Sequence, residues 1–218
     1  MQPSKEQGAI AAIILAAGTS TRMGTPKQLL QFQGRSLLRW VTETAIAAHC
    51  HPILIVVGAY RHQIQGEVTD LPVQIVENGD WQTGMGSSIR TGIQALLNSN
   101  IATEAAVVLL CDQPFVSPQL IQQLKFHHDS TPHHIIASMY QNTIGVPALF
   151  NAALFPELAA LSGSQGAKTV IQQHLYTVFT VDFPQGAIDI DTPNDYQQCL
   201  ENHHEAIMLS NNSQGDEY

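Results

Sequence analysis

Basic residues are scarce in this chain. Nine Lys and Arg stand against 18 Asp and Glu, a formal net charge of −9. That balance leaves no positive field for a polyanion, so it argues against a nucleic-acid partner while leaving room for one small phosphate site. Cysteine is equally sparse: Cys50, Cys111 and Cys199 are an odd number with no C-x-x-C pair, which suits a reducing cytoplasm better than a disulfide scaffold. No apolar run approaches bilayer-spanning length and no secretory n-region and h-region is present. The expectation is a cytoplasmic protein with no membrane partner.

With charged residues at 12% and hydrophobic ones at 44% of 218, what remains describes one ordinary α/β globule without repeats or low-complexity linkers. Residues 9–201 are expected to form a single domain, 1–8 a disordered start, and 202–218 a polar, flexible tail. The ten histidines include three twins, His127-His128, His133-His134 and His203-His204. None has the i, i+4 spacing that aims two imidazoles at one ion, so they are expected on solvated surface.

Apolar periodicity orders the chain. Ala9–Leu15 is a continuous apolar run bounded by glycine, the pattern of a strand buried on both faces. Ser36 then sits before Leu37, Leu38, Val41, Ala45 and Ala48, which recur at helical spacing up to the His49-Cys50-His51 stop. The alternation continues with a strand at Pro52–Val57, a helix at Tyr60–Val68, a strand at Val73–Glu77 and a helix at Ser87–Leu97. A strand at Ala105–Leu110 precedes a helix opened by Ser117-Pro118 and running to about His127. The second half is less regular: strands at Ile135–Met139, Val178–Val181 and Ala187–Ile190, a helix containing Val170–His174, and a last helix started by Thr192-Pro193 with Asp195 and ending about Glu201. Such alternation predicts βαβ crossovers, a mainly parallel sheet, and ligands at the carboxyl ends of its strands.

The chemistry-bearing residues sit at those ends. After the first strand, Ala16–Gly24 combines glycines, small side chains and Arg22, with Lys27 close behind, a composition suited to cradling phosphates. It is not a P-loop, because G-x-x-x-x-G-K-[ST] is absent, and the G-x-G-x-x-G of a dinucleotide site is absent too. Asp112 follows the strand Ala105–Leu110 and reads either as a Mg²⁺ ligand facing the cradle or as a turn cap. Cys111 beside it reads as a small buried hydrophobe. Gly84-Met85-Gly86-Ser87-Ser88, placed before a helix, reads as ligand-lining backbone or as a loop with a serine cap. Asp189 and Asp191 would leave their strand on one side, where one of them can complete a metal site or simply face solvent.

Taken together, Leu15-Ala16-Ala17-Gly18-x-Ser20-x-Arg22-Met23-Gly24-x-Pro26-Lys27, Cys111-Asp112-Gln113-Pro114, Gly145-Val146-Pro147 and Asp191-Thr192-Pro193-x-Asp195-Tyr196 resemble the MobA-like nucleotidyltransferases. Within them they are most similar to the molybdenum cofactor cytidylyltransferases. The resemblance runs from about Ile10 to Leu200. It implies a single Rossmann-like domain with a mixed, mainly parallel sheet and helices on both faces. It also implies Mg²⁺, with Arg22, Lys27 and Asp112 catalytic and Asp112 and Asp191 as metal ligands. Leu15, Ala16, Ala17, Gly18 and Gly24, with Gly84, Met85, Gly86, Ser87 and Ser88, would border the nucleotide. The implied reaction moves CMP from CTP to a phosphorylated small molecule, a molybdopterin-type cofactor, and a molybdenum enzyme would receive the product. In the Gly163-x-x-Gly166-Ala167 stretch, Ser164 stands where the branch usually has an acid, and Lys168 where it has arginine. Rival readings with the same cradle are a cytidylyltransferase for another acceptor, a metal-dependent glycosyltransferase using Asp189 and Asp191, and a non-catalytic nucleotide-binding chaperone of a molybdenum enzyme.

Overall fold

The computed structural model describes residues 8–201. The expected disorder at 1–7, the tail 202–218 and the twin His203-His204 lie outside the described residues. In chain order the elements are β1 (Ala9–Ala16), the two-residue strands β2 (Gln31–Phe32) and β3 (Arg35–Ser36), α1 (Leu37–Ala47), β4 (Ile53–Val57), α2 (Arg61–Ile64) and β5 (Gln74–Glu77). Then come α3 (Met85–Leu97), β6 (Thr103–Leu110), α4 (Pro118–Ser130), β7 (Ile135–Tyr140), β8 (Thr143–Asn151), α5 (Phe155–Ala159), α6 (Ala167–Gln173) and β9 (Val178–Asp182). A last helix, α7, spans 193–201. Among the described residues no helix is long and apolar enough to cross a membrane.

Seven strands form one sheet in the order β5-β4-β1-β6-β8-β7-β9. β1 pairs in parallel with β4 and β6, β4 with β5, and β7 with β9, whereas β8 runs antiparallel to both neighbours. The chain leaves β1 toward β4 on one side and later returns to place β6 on the other, which opens a crevice at their carboxyl ends. Because Leu15 pairs with Leu110, Ala16-Ala17 and Cys111-Asp112 leave the sheet side by side. This adjacency builds the site.

Central strands are buried on both faces, as their unbroken apolar runs require. One face carries Ile14, Ile55, Val107 and Leu109 beneath α1 and α4, and the other carries Ile13, Val56, Val108 and Phe150 beneath α3, α5 and α6. The helix starts are set locally. Ser36 Oγ accepts from Arg39 N at 3.2 Å and Ser117 Oγ from Leu120 N at 3.2 Å. Thr192 and Asp195 cap each other's backbone: Asp195 N donates to Thr192 Oγ1 at 3.2 Å, and Thr192 N to Asp195 Oδ2 at 2.8 Å, a capping box.

Two features depart from the sequence reading. Ala187–Ile190 is no strand: Pro184–Ala187 forms a 3-10 turn, and Ile190, fully buried with Phe32, Leu37 and Cys199, is fixed by its N–H to Asp112 O at 3.0 Å. Pro184 and Gly186 break any extended run there. β8 is a strand that the reading missed because Pro147 interrupts it. The ladder accommodates the proline at an irregularity, where Ala137 pairs with Ala148 but Ser138 pairs with Gly145, and Ser138 Oγ caps Pro147 O at 2.7 Å.

Candidate active site

The loop after β1 is held from within. Gln28, buried at 1% exposure, donates from Nε2 to Ala16 O at 2.9 Å and Gly18 O at 3.1 Å. Ser20 Oγ accepts from Lys27 N at 3.0 Å, and Tyr60 Oη donates to Thr19 O at 2.8 Å. A buried amide has to be satisfied, and here that need ties the loop's end to its beginning. Sequence reasoning did not single out Gln28; the only signal was a glutamine directly beside a candidate cation.

With its ends tied, the loop brings Lys27 against two acids. Lys27 Nζ pairs with Asp112 Oδ2 and, at 3.1 Å, with Asp191 Oδ1. Arg22 reaches the other oxygen of Asp191 at 2.6 Å. The four residues, from three separate segments, thus meet at one point. Burial alone would lower the pKa of Lys27, but the Asp112 carboxylate against it outweighs that and raises it. Asp112 is 13% exposed at its side chain, and its Oδ1 is buried without a hydrogen-bond partner among the described residues. An orphaned anionic oxygen of this kind is costly unless a cation completes it. Arg22, 69% exposed, is held among the described residues by its surface pair with Asp191 and can swing at little cost.

Asp189 makes none of the ion pairs that Lys27 and Arg22 make with Asp112 and Asp191. The period-two geometry expected of a strand is absent because the strand is absent. Partial burial and the charge of Asp112 push its carboxyl up to about 6. Cys111 is 4% exposed, and burial pushes its thiol up to about 12, which makes it inert packing rather than a nucleophile.

A cavity of about 320 Å³ opens above this cluster, bordered by the Leu15–Gly18 backbone, Trp81, Gly84, Met85 and Ser88, with Lys27 and Asp112 at its base. A smaller recess holds Gly18, Ser20, Thr21, Arg22, Lys27 and Asp191. Three residues named from the sequence lie elsewhere. Gly24 turns the chain at φ 75° with its N–H spent on Ser20 O at 3.2 Å. Gly86 and Ser87 lie inside the first turn of α3, which begins at Met85, ahead of the expected start at Ser87. Gly84 precedes it at φ 121°, and a Cβ there would collide with the Gly163 carbonyl.

Asn78 is the second residue that sequence reasoning missed. Buried just past β5, it donates from Nδ2 to Ser87 Oγ at 2.8 Å and Ser88 Oγ at 3.0 Å, and its Oδ1 accepts from Asp80 N at 2.9 Å. Ser87 Oγ donates onward to Gly84 O at 2.8 Å. Asn78 therefore fixes the start of α3, and with it the cavity wall.

The histidine twins are not all solvated. His127 stacks on Phe179 with centroids 4.3 Å apart, and His128 lies with Glu104 and Asp129 in a group whose ligand atoms fall within 4.8 Å. Asn151 Oδ1 accepts from Ala153 N at 3.0 Å, which directs Asn151 Nδ2 to His128 Nε2 at 3.1 Å. That nitrogen must then accept, so the ring proton sits on Nδ1, 3.3 Å from Asp129 Oδ1. The group is a histidine and a carboxylate paired side by side.

A mixed sheet with a tied glycine loop after its first strand and a lysine–carboxylate cluster at the switch point defines a nucleotide-binding α/β domain. Residues 12–178 match the MobA-like NTP transferase domain, and the chain belongs to that family. It is 32% identical over 202 residues, 88% of this chain and 96% of the relative, to nicotine blue oxidoreductase of Paenarthrobacter nicotinovorans. To a probable molybdenum cofactor guanylyltransferase of Trichormus variabilis it is 27% identical over 191 residues, 85% and 88% of the two chains. The crystal structure of Rv0371c from Mycobacterium tuberculosis superposes with a TM-score of 0.76 at 26% identity, covering 89% of this chain and 98% of that one. The same protein has also been solved in complex with manganese, with a TM-score of 0.71.

Proposed function

We propose that this protein transfers CMP from CTP to the phosphate of a molybdopterin-type acceptor in the cytoplasm, releasing pyrophosphate and serving a recipient molybdenum enzyme. The observation that carries this reading is the convergence of Arg22, Lys27, Asp112 and Asp191, with Lys27 and Asp112 lining the cavity bordered by Leu15–Gly18 and Arg22 and Asp191 lining the recess that shares Gly18 and Lys27 with it.

The residues fit a hard divalent cation: Asp112 offers a buried oxygen with no partner, and carboxylate oxygen is the donor that Mg²⁺ or Mn²⁺ prefers. Asp112 and Asp191 would hold it, and the manganese complex of Rv0371c supports a metal of this class. Bound there, Mg²⁺ would neutralise phosphate charge. The acceptor's phosphate oxygen attacks the α-phosphorus as the bond to the pyrophosphate oxygen breaks. A phosphomonoester has its second pKa near about 6 and is largely dianionic at neutral pH, so no general base is required. Lys27 and Arg22 would place their charges on the phosphates, and the tied loop holds them in position.

Asp189 is the rival metal ligand. Its raised pKa means that the folded protein holds a proton near pH 5 that the unfolded chain has released, so ionising Asp189 costs stability as pH rises from about 4 to 6. Asp189→Asn is therefore expected to melt higher than the parent above pH 6 and alike below pH 4, while Asp191→Asn takes the larger loss of activity. Thermal melts across pH and single-substitution rates check both; a larger activity loss for Asp189→Asn reverses the assignment.

For base selection, this chain has Ala17 where the guanylyl-transferring branch typically has a second glycine, and Ala17 lines the cavity. A methyl group there favours a pyrimidine over a purine by steric exclusion. One methyl contributes about 1–3 kcal/mol, so Ala17→Gly is expected to relax a CTP preference without inverting it. The check is kcat/KM for CTP and GTP with molybdenum cofactor. Equal values, or a GTP preference, remove the cytidylyl assignment and leave nucleotidyl transfer standing.

The 32% identity to nicotine blue oxidoreductase favours a second reading, a redox reaction in the same crevice. The chain lacks a G-x-G-x-x-G fingerprint after β1, which weakens it.

A further inference from the structure

The cavity of about 320 Å³ crosses the ends of several strands, and its two flanks differ in chemistry. Leu15 pairs with Leu110 on one side and Val56 on the other, so the end of β1 lies between Asp112, after β6, and Gly58, after β4. Two strand spacings, about 10 Å, separate those flanks, the reach of a ribose with one or two phosphates. Charge stands on the β6 flank, where Lys27 meets Asp112. The β4 flank carries Trp81.

Among the described residues bordering the cavity, Trp81 alone is aromatic. A Cβ on Gly58 would lie 2.8 Å from Ala17 O and 2.8 Å from Trp81 Cβ, so the root of the indole rests on bare backbone beside the Ala17 carbonyl. Trp81 opens the 3-10 turn Trp81–Thr83, and that turn is tied on both sides. Asp80 N donates to Asn78 Oδ1 at 2.9 Å, Thr83 N to Asp80 O at 2.9 Å, and Gly84 N to Trp81 O at 3.3 Å. The residue is nevertheless only half-buried. A large flat ring, fixed at its root and partly uncovered at a cavity wall, is a preorganised stacking face. Polar side chains around it are already engaged: Gln28 Nε2 donates to Ala16 O and Gly18 O, and Ser88 Oγ accepts from Asn78 Nδ2. Reading a base by the hydrogen-bond pattern of its edge therefore has few side chains to use, whereas stacking asks only for the π-face that every base has.

We propose that Trp81 is the face on which the base of the bound nucleotide stacks, and that it contributes affinity for any base, leaving the choice between pyrimidine and purine to Ala17 beside it. The phosphates then extend across the end of β1 toward Lys27 and Asp112. The assignment rests on the proposed reading of this cavity as a nucleoside triphosphate site, and it is independent of the acceptor.

Calorimetric titration of CTP, GTP and inorganic tripolyphosphate into the full chain, with Mg²⁺ present, tests this. Trp81→Ala is expected to weaken CTP and GTP by similar factors, about tenfold or more, and to leave tripolyphosphate affinity unchanged. Trp81→Phe, which keeps an aromatic face, is expected to restore most of the loss, and Trp81→Leu, apolar without a π-face, to restore little. Emission gives a second readout, because the chain has two tryptophans and Trp40 packs edge-on against Phe32 with its Nε1 donating to Pro114 O at 2.8 Å. CTP is expected to quench the parent and not Trp81→Phe, in which only Trp40 emits. Unchanged CTP affinity in Trp81→Ala would overturn the proposal, as would a parallel loss of tripolyphosphate, full rescue by Trp81→Leu, or quenching retained in Trp81→Phe. If nucleotides bind and quench as expected but no acceptor yields pyrophosphate, the stacking face stands and the transferase reading falls. Pyrophosphate release from CTP at parental kcat/KM in Trp81→Ala would do the reverse.

Discussion

Asp112→Asn is expected to keep the fold and to lower metal-dependent turnover on the order of 10²-fold or more. The amide matches the carboxylate in size, so the packing around β6 is preserved and Ile190 N still finds the Asp112 main-chain oxygen. What changes is charge. In the parent, Asp112 Oδ1 is a buried anionic oxygen without a partner and Oδ2 pairs with Lys27; in the variant neither the cation nor the lysine has that counter-charge. Two readouts separate the roles: Mn²⁺ affinity by calorimetry, which should fall, and kcat at saturating Mg²⁺, which should stay low. Near-parental rates at saturating Mg²⁺ would remove Asp112 from the metal site.

Lys27→Ala is expected to lower kcat by about 10²–10³-fold, the usual loss when a charge-stabilising donor aimed at the reacting group is removed. Its contact strengthens as negative charge moves onto the pyrophosphate, so the loss belongs in kcat; a change confined to KM would make Lys27 a ground-state binder only. The same substitution carries a prediction of opposite sign. Without nucleotide, Lys27 occupies the carboxylates that the metal would use, so the variant should bind Mn²⁺ more tightly than the parent. A fall in both kcat and nucleotide-free Mn²⁺ affinity would mean that Lys27 holds the acids in place instead of competing for them.

Local signals carried most of the fold. β1, β4 and β6 were legible as unbroken apolar runs because strands buried on both faces have no polar side, and Ser36, Ser117 and Thr192 marked helix starts because capping is a bond between near neighbours. β8 was obscured by Pro147, whose tolerance depends on an irregular register with β7 that one segment cannot reveal. The supposed strand Ala187–Ile190 failed for the complementary reason: Ile190 is buried by contacts with Phe32, Leu37 and Cys199, not by sheet pairing.

The site divides in the same way. Its charged members stand at the ends of recognisable strands, which made Lys27 and Asp112 conspicuous. Gln28 and Asn78 were not, since an amide announces its role only through the partners it reaches, and those partners lie on other segments. The histidine beside Glu104 and Asp129 likewise takes its tautomer from Asn151, 23 residues away. The interleaving of Lys27 with both acids is also a tertiary fact; from sequence, the cations belonged to phosphates and the acids to a metal, and nothing indicated that they would neutralise one another meanwhile.

Transfer with loss of pyrophosphate is separated from redox chemistry by a parallel assay. The protein is incubated with CTP, Mg²⁺ and a phosphorylated acceptor while pyrophosphate is measured, and a matched sample receives NAD(P)H and an oxidised ring acceptor while its absorbance is followed. One pyrophosphate is expected for each CMP joined to the acceptor, with no oxidation of NAD(P)H. Oxidation of NAD(P)H, with no pyrophosphate from any nucleoside triphosphate, would contradict transfer.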